Sequence, residues 1–135
     1  MDVMERFIER DLFTRHLGIE ILEQGEGYAK AKLEIKKNHL NSVDTVHGGL
    51  VFSLADAAFS VASNSRRTVS VAIQASISYF KAVSSGALYA AARDVSLQQK
   101  LATYLVEVTD EGGGLVALFQ GTVYRKSATL EEVLV

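Results

Sequence analysis

The chain has 135 residues, enough for one domain with an apolar core, and its 48% hydrophobic and 22% charged residues exclude a disordered chain. A formal net charge of −2, with Lys and Arg scattered, offers no basic stripe for nucleic acid or an anionic membrane. With no cysteine, disulfide scaffolds, thiolate metal sites and a cysteine nucleophile are all excluded.

Phe7, Ile8, Leu12 and Phe13 recur at helical spacing, which predicts one amphipathic helix over Val3 to His16, within residues 1–16. Charges every few residues there leave no apolar core for a signal peptide, so the expected compartment is cytoplasmic. Ile19 to Glu23 and Tyr28 to Ile35, split by Gly25-Glu26-Gly27, read as a hairpin whose second strand has one wet face. A polar loop follows, then a long apolar helix over residues 48–64. Asp56, the serines and Asn64 argue against that helix being a membrane span.

Four more strands are predicted at Val69 to Phe80, Leu88 to Leu97, Leu101 to Thr109 and Leu115 to Lys126. The first should place Val69, Val71, Ile73, Ala75, Ile77 and Tyr79 on one face, and the four together suggest a meander. A single domain over residues 1–135 is therefore expected. One antiparallel sheet around one buried helix gives an α+β class.

The long helix is apolar nearly all round, and Asp56 is its only charge. Aspartate is a poor mid-helix residue, and an unpaired carboxylate in an apolar setting is costly. Chemistry would explain it; so would a narrow solvated stripe or a capping bond. Val46-His47-Gly48-Gly49 opens the same helix, where backbone amides are unpaired and carry partial positive charge. A carbonyl oxygen or oxyanion on the Gly48 or Gly49 amide would be polarised, although glycines there would equally serve a tight turn.

Gly48 and Asp56 are separated by about 12 Å along a helix that rises 1.5 Å per residue. One helix cannot bring both to one carbonyl. Two helices of a symmetric dimer can, which predicts paired sites at a subunit interface.

The run from Asn41 through His47-Gly48-Gly49 to Asp56 closely resembles hotdog-fold thioesterases of the phenylacetate-degradation type. Ala62-Ser63-Asn64-Ser65 and Ile77-Ser78-Tyr79-Phe80-Lys81-Ala82 continue the resemblance, which spans about Leu17 to Tyr124 in element order. It implies a hotdog fold, a sheet wrapped around one central helix, and hydrolysis of an acyl-CoA thioester. Asp56 would be nucleophile or general base, and the Gly48 amide would polarise the carbonyl across the dimer. Asn41 would hold the reacting groups, and His47 would support the loop or the sulfur.

Gly49 and Ser60 are supporting candidates. Ser60 lies one turn after Asp56, placed to orient water or to bond back to its own helix. Asn64, Lys81, Arg93 and Lys100 are candidates for substrate or coenzyme A contacts. Ala72 and Ala82 depart from the family, where a serine and a proline are common. Coenzyme A would be part of the substrate, and no separate cofactor is expected.

Expected partners are acyl-CoA and further copies of the chain, as a homodimer or a dimer of dimers (a homotetramer), with no nucleic acid or membrane. His39 and His47 match no zinc spacing, and neither a phosphate-binding glycine loop nor a Gly-x-Ser-x-Gly elbow occurs. Two rival readings use the same fold: a non-catalytic acyl-CoA sensor and a hydroxyacyl-thioester dehydratase. Phe52, Phe59, Tyr79 and Phe80 are each candidates for an acyl pocket or for plain core.

Overall fold

A computed structural model describes residues 1–134. Its elements are α1 Val3–Glu9, α2 Leu12–Leu17, β1 Ile19–Gly25, β2 Tyr28–Glu34, a 3₁₀ turn Lys37–His39, α3 Gly48–Asn64, β3 Thr68–Tyr79, β4 Ala87–Leu97, β5 Leu101–Asp110, β6 Leu115–Thr129 and α4 Leu130–Val133. The six strands form one antiparallel sheet in the order β1-β2-β4-β5-β6-β3, packed on α3. This is the hotdog fold, α+β in class.

Alternation builds the inner face. Ala29, Ala31 and Leu33 of β2 and Ala90 and Ala92 of β4 are buried, and these small residues let α3 approach closely. Phe59 of α3 lies edge-on to Tyr104 and tilted on Phe119, with ring centroids 5.8 and 5.4 Å apart. Gly121 of β6 makes room for it: a Cβ there would stand 2.6 Å from the Phe59 ring. Phe52 meets Phe119 at 5.4 Å, so both phenylalanines of α3 belong to the core aromatic cluster.

Three expectations are corrected. The N-terminal helix is two helices, because Asp11 caps a new one: its carboxylate accepts from the Thr14 N–H at 3.1 Å and the Thr14 hydroxyl at 2.6 Å. Only β4, β5 and β6 form a meander; β3 leaves the sequence order and pairs with β6 at the sheet edge. The single apolar face of β3 is broken by a bulge between Ala72 and Gln74. The inserted residue reverses the phase, so Val71 stands opposite the outward Tyr124 while Ala75 and Ile77 oppose Gly121 and Phe119 on the inner side.

Candidate active site

The loop before α3 is wired by short hydrogen bonds. The Asn41 carboxamide oxygen accepts from the Val43 and Thr45 amides at 3.0 and 3.1 Å, and its Nδ2 donates to Thr45 Oγ1 at 2.9 Å. Val46 N–H donates to the Val83 carbonyl at 2.8 Å and His47 N–H to the His39 carbonyl at 2.9 Å. Asn41 therefore acts on the loop's own backbone, and through it on where α3 begins.

His47 is the N-cap of α3, and its Nδ1 accepts from the Gly49 N–H at 2.9 Å. In the neutral ring this leaves the proton on Nε2. Of the two glycine amides considered for a polarising role, Gly49 is thus engaged by the cap. The Gly48 N–H has no hydrogen-bond partner among the described residues. The Tyr79 hydroxyl donates to the Gly48 carbonyl at 3.0 Å. Gly48 opens onto a cleft of about 370 Å³ shared with Val51, Tyr79, Phe80 and Lys81. Of the four aromatics weighed from sequence, Tyr79 and Phe80 face this cleft.

Asp56 is not enclosed as expected. It is exposed in the single chain, on a stripe of α3 with Gly49, Ser53 and Ser60, because the sheet curls around only the opposite side of the helix. It forms no ion pair and no side-chain hydrogen bond among the described residues. Enough protein still surrounds it that partial loss of solvation, with repulsion from Asp11 second, raises its carboxyl above the ordinary aspartate value. Ser60 makes no back-bond to its helix; Ser53 does, donating to the Gly49 carbonyl at 2.8 Å.

Asn64 is buried, and both its amide nitrogen and its oxygen are engaged. Its Nδ2 donates to the Ser60 and Ser70 carbonyls at 2.9 and 3.2 Å, and its Oδ1 accepts from Ser70 N–H at 2.9 Å. It ties the end of α3 to the start of β3, and burial closes it off from a substrate. Lys81 lines the Gly48 cleft and is paired with Asp110, whose carboxyl is held low by that bond and by backbone amides. Arg93 departs from the rim reading: Ala92 beside it faces α3, so alternation sends Arg93 to the outer face with Tyr28 and Leu105.

Lys100 lies in a hollow of about 590 Å³ together with Arg125 and Lys126, which sequence reading did not single out. The β5–β6 register was the missing signal: Leu101 pairs with Tyr124, so the residues beside them, Lys100 and Arg125, come together. Asp11 was also missed, since nothing in sequence links it to a residue 45 positions later. Among the described residues no group of three or more His, Asp or Glu is placed to hold a metal, and no helix is long and apolar enough to cross a membrane.

Residues 44–117 match the family model described as the thioesterase superfamily. An Archaeoglobus fulgidus protein carrying a provisional esterase name is 47% identical over 124 residues, 91% of this chain and 80% of its own length. The acyl-coenzyme A thioesterase PaaI of Escherichia coli is 33% identical over 90% of this chain and 88% of its own. The structure of E. coli PaaI, from the phenylacetic acid degradation operon, superposes with a TM-score of 0.89 at 31% identity, covering 93% of this chain and 91% of that one. Thermus thermophilus TT0310 gives 0.83 at 42% identity, over 87% and 99% of the two chains.

Proposed function

This chain belongs to the thioesterase superfamily and is a thioester hydrolase, and on that premise we propose that its substrate is an acyl-CoA, cleaved to the free acid and coenzyme A in sites shared between two subunits. The observation that carries this reading is the Gly48 N–H at the start of α3, unpartnered among the described residues and belonging to a residue that borders a cleft, while its neighbour Gly49 is capped by His47. A thioester oxygen there gains charge as the carbonyl is attacked, and a fixed amide at a helix N-terminus stabilises that charge without reorganising. The relative named as an acyl-CoA thioesterase supports coenzyme A as the thiol.

Asp56 of the second subunit then supplies the carboxylate, either removing a proton from the attacking water or attacking the carbonyl itself to give a mixed anhydride that water opens. Its raised proton affinity suits a base working nearer neutrality. The Ser60 hydroxyl, one turn away and with no hydrogen-bond partner among the described residues, would orient the water. His47 and Asn41 hold the first turn in register, and coenzyme A needs no cofactor beyond itself.

Two features support subunit sharing. β3 is a twelve-residue edge strand without a single charge, and most of its residues are exposed, including Ile73 and Tyr79. Such an edge invites pairing with a second copy. The polar stripe of α3 that bears Asp56 is also uncovered. A dimer, and a dimer of dimers built from it, would function in the cytoplasm, with Lys81 and the Lys100-Arg125-Lys126 hollow available to the phosphates of coenzyme A.

Gly48→Pro tests the reading cleanly. Proline is favoured at the first helical position, and His47 has the extended backbone (φ −60°, ψ 132°) that a following proline requires. The substitution deletes one N–H and breaks no hydrogen bond. Turnover should fall about 100-fold to 1,000-fold, the loss typical of one oxyanion donor. Mixing inactive Gly48→Pro and Asp56→Ala chains should restore part of the activity through hybrid sites. Full activity in Gly48→Pro, or exchange of subunits without recovery, would sink the model.

A further inference from the structure

We propose that His39 is a positioning residue for the hydrolysis, acting through His47 to fix the first turn that carries the polarising Gly48 amide. This deepens the thioesterase reading and rests on it.

Folding by itself does not call for a histidine at this place. Among the described residues no Lys, Arg, Asp or Glu is buried, yet His39 is, at 9% exposure. It follows the exposed Lys36, Lys37 and Asn38 and closes the 3₁₀ turn. An apolar side chain would fill the position without the cost of burying polar ring atoms. What the ring contributes is an acceptor. Its Nδ1 takes the Lys36 N–H at 2.9 Å, while the His39 N–H donates to the Lys36 carbonyl at 2.9 Å. These two bonds lock the turn on itself.

The carbonyl of the same residue accepts the His47 N–H at 2.9 Å. His47 then repeats the arrangement, since its own Nδ1 accepts the Gly49 N–H at 2.9 Å. Both rings serve as acceptors, which in the neutral form leaves each proton on Nε2. The bonds run in series from Lys36 to His39, from His39 to His47, and from His47 to Gly49. The peptide joining Gly48 to Gly49 is the last link. Beside the series, Leu40 bridges to Val46, and the Val46 N–H is held by the Val83 carbonyl at 2.8 Å. His39, His47 and Gly49 line one groove, so the turn, the cap and the start of α3 meet there. The bonds of His39 go to main chain, and its effect on catalysis therefore runs through where α3 begins. A misplacement of about 1 Å can cost 100-fold in rate, so a turn that sets the amide's place is felt in kcat.

Three substitutions separate the acceptor from the bulk of the ring. His39→Leu removes the acceptor, His39→Asn keeps one where Nδ1 stands, and His39→Gln moves it one bond outward. With hexanoyl- or phenylacetyl-CoA, His39→Leu should lower kcat about tenfold to 100-fold and leave KM within about twofold. His39→Asn should recover kcat to within about threefold of the parent, and His39→Gln should stay low. In a Gly48→Pro background, His39→Leu should cost no further activity, because the amide it positions is gone. The proposal is overturned if His39→Leu keeps the parental kcat, if His39→Asn and His39→Gln are equally active, or if the His39→Leu and Gly48→Pro losses multiply. Should His39→Leu lack a cooperative melting transition, the comparison of His39→Asn with His39→Gln, alone and with Gly48→Pro, decides. Parental activity in Gly48→Pro alone brings down the polarising amide, and a parent that cleaves neither substrate brings down the acyl-CoA reading. Both are recognised before any His39 variant is compared.

Discussion

The Tyr79 hydroxyl donates to the Gly48 carbonyl at 3.0 Å, tying the last residue of the edge strand to the first peptide of the central helix. The His47 ring holds the N–H of that same peptide. The plane of the first turn is therefore set from both sides, and with it the direction of the free Gly48 N–H. Removing the hydroxyl in Tyr79→Phe costs one hydrogen bond, worth about 0.5–1.5 kcal/mol. We expect kcat to fall about threefold to tenfold with KM little changed, and the melting temperature to drop by about 2–6 °C. An unaltered kcat would show that the tether does not position the amide.

Asp56→Asn should lower kcat by about 100-fold to 10,000-fold, as loss of a positioned acid–base group does. Its effect on stability has the opposite sign. Because the folded carboxyl is raised above its unfolded value, the folded state binds the proton more tightly, and stability falls as pH rises through that interval. The asparagine variant should melt higher than the parent at neutral pH, and the difference should vanish in acid. Melting curves from pH 3 to pH 8 test this. A variant less stable than the parent at pH 7 would mean that the carboxylate is a structural partner.

Asp11→Asn isolates the second cause of that shift. Asparagine caps helices as well as aspartate does, so α2 should persist while the negative charge near Asp56 disappears. The acidic limb of the kcat/KM profile should move to lower pH, with the plateau retained. If the limb stays in place, Asp56 does not govern it or Asp11 is too far away to matter.

Ile73→Lys puts a charge on the uncharged edge of β3, at the bulge, where the side chain is already 58% exposed in the single chain. The fold should survive, since that position lies outside the core cluster of its own chain. Sedimentation should show a shift from oligomer to monomer, and activity should disappear with it. An active monomer would rule out shared sites.

The element order was readable from the residues, because alternation in Tyr28–Glu34 and the long apolar run from Gly48 each impose one secondary structure over many positions. Local chemistry also marked His47, Gly48, Gly49 and Asp56, since a capping position and a lone helical carboxylate are anomalies that adjacent residues reveal. The break at Asp11 was harder to see: helical spacing continues across it, and only the capping bond to Thr14 shows that the helix restarts.

Tertiary structure decided everything that depends on which distant segments meet. Alternation says that a strand has two faces but not which strand it joins, so the pairing of β3 with β6 could not be read from either run. The bulge at Ile73 then inverted a face that the sequence presented as continuous. Asn64 is polar and reads as available, but the fold buries it and bonds it to Ser60 and Ser70. Asp56 appeared buried because its neighbours are apolar, yet a helix packed on one side of a curved sheet keeps a stripe in water. Sequence alone determined the periodicities and the local anomalies, which are set by bonding within a few residues. The partners of each residue came only with the tertiary fold, because contacts between remote segments depend on how the whole chain closes around its core.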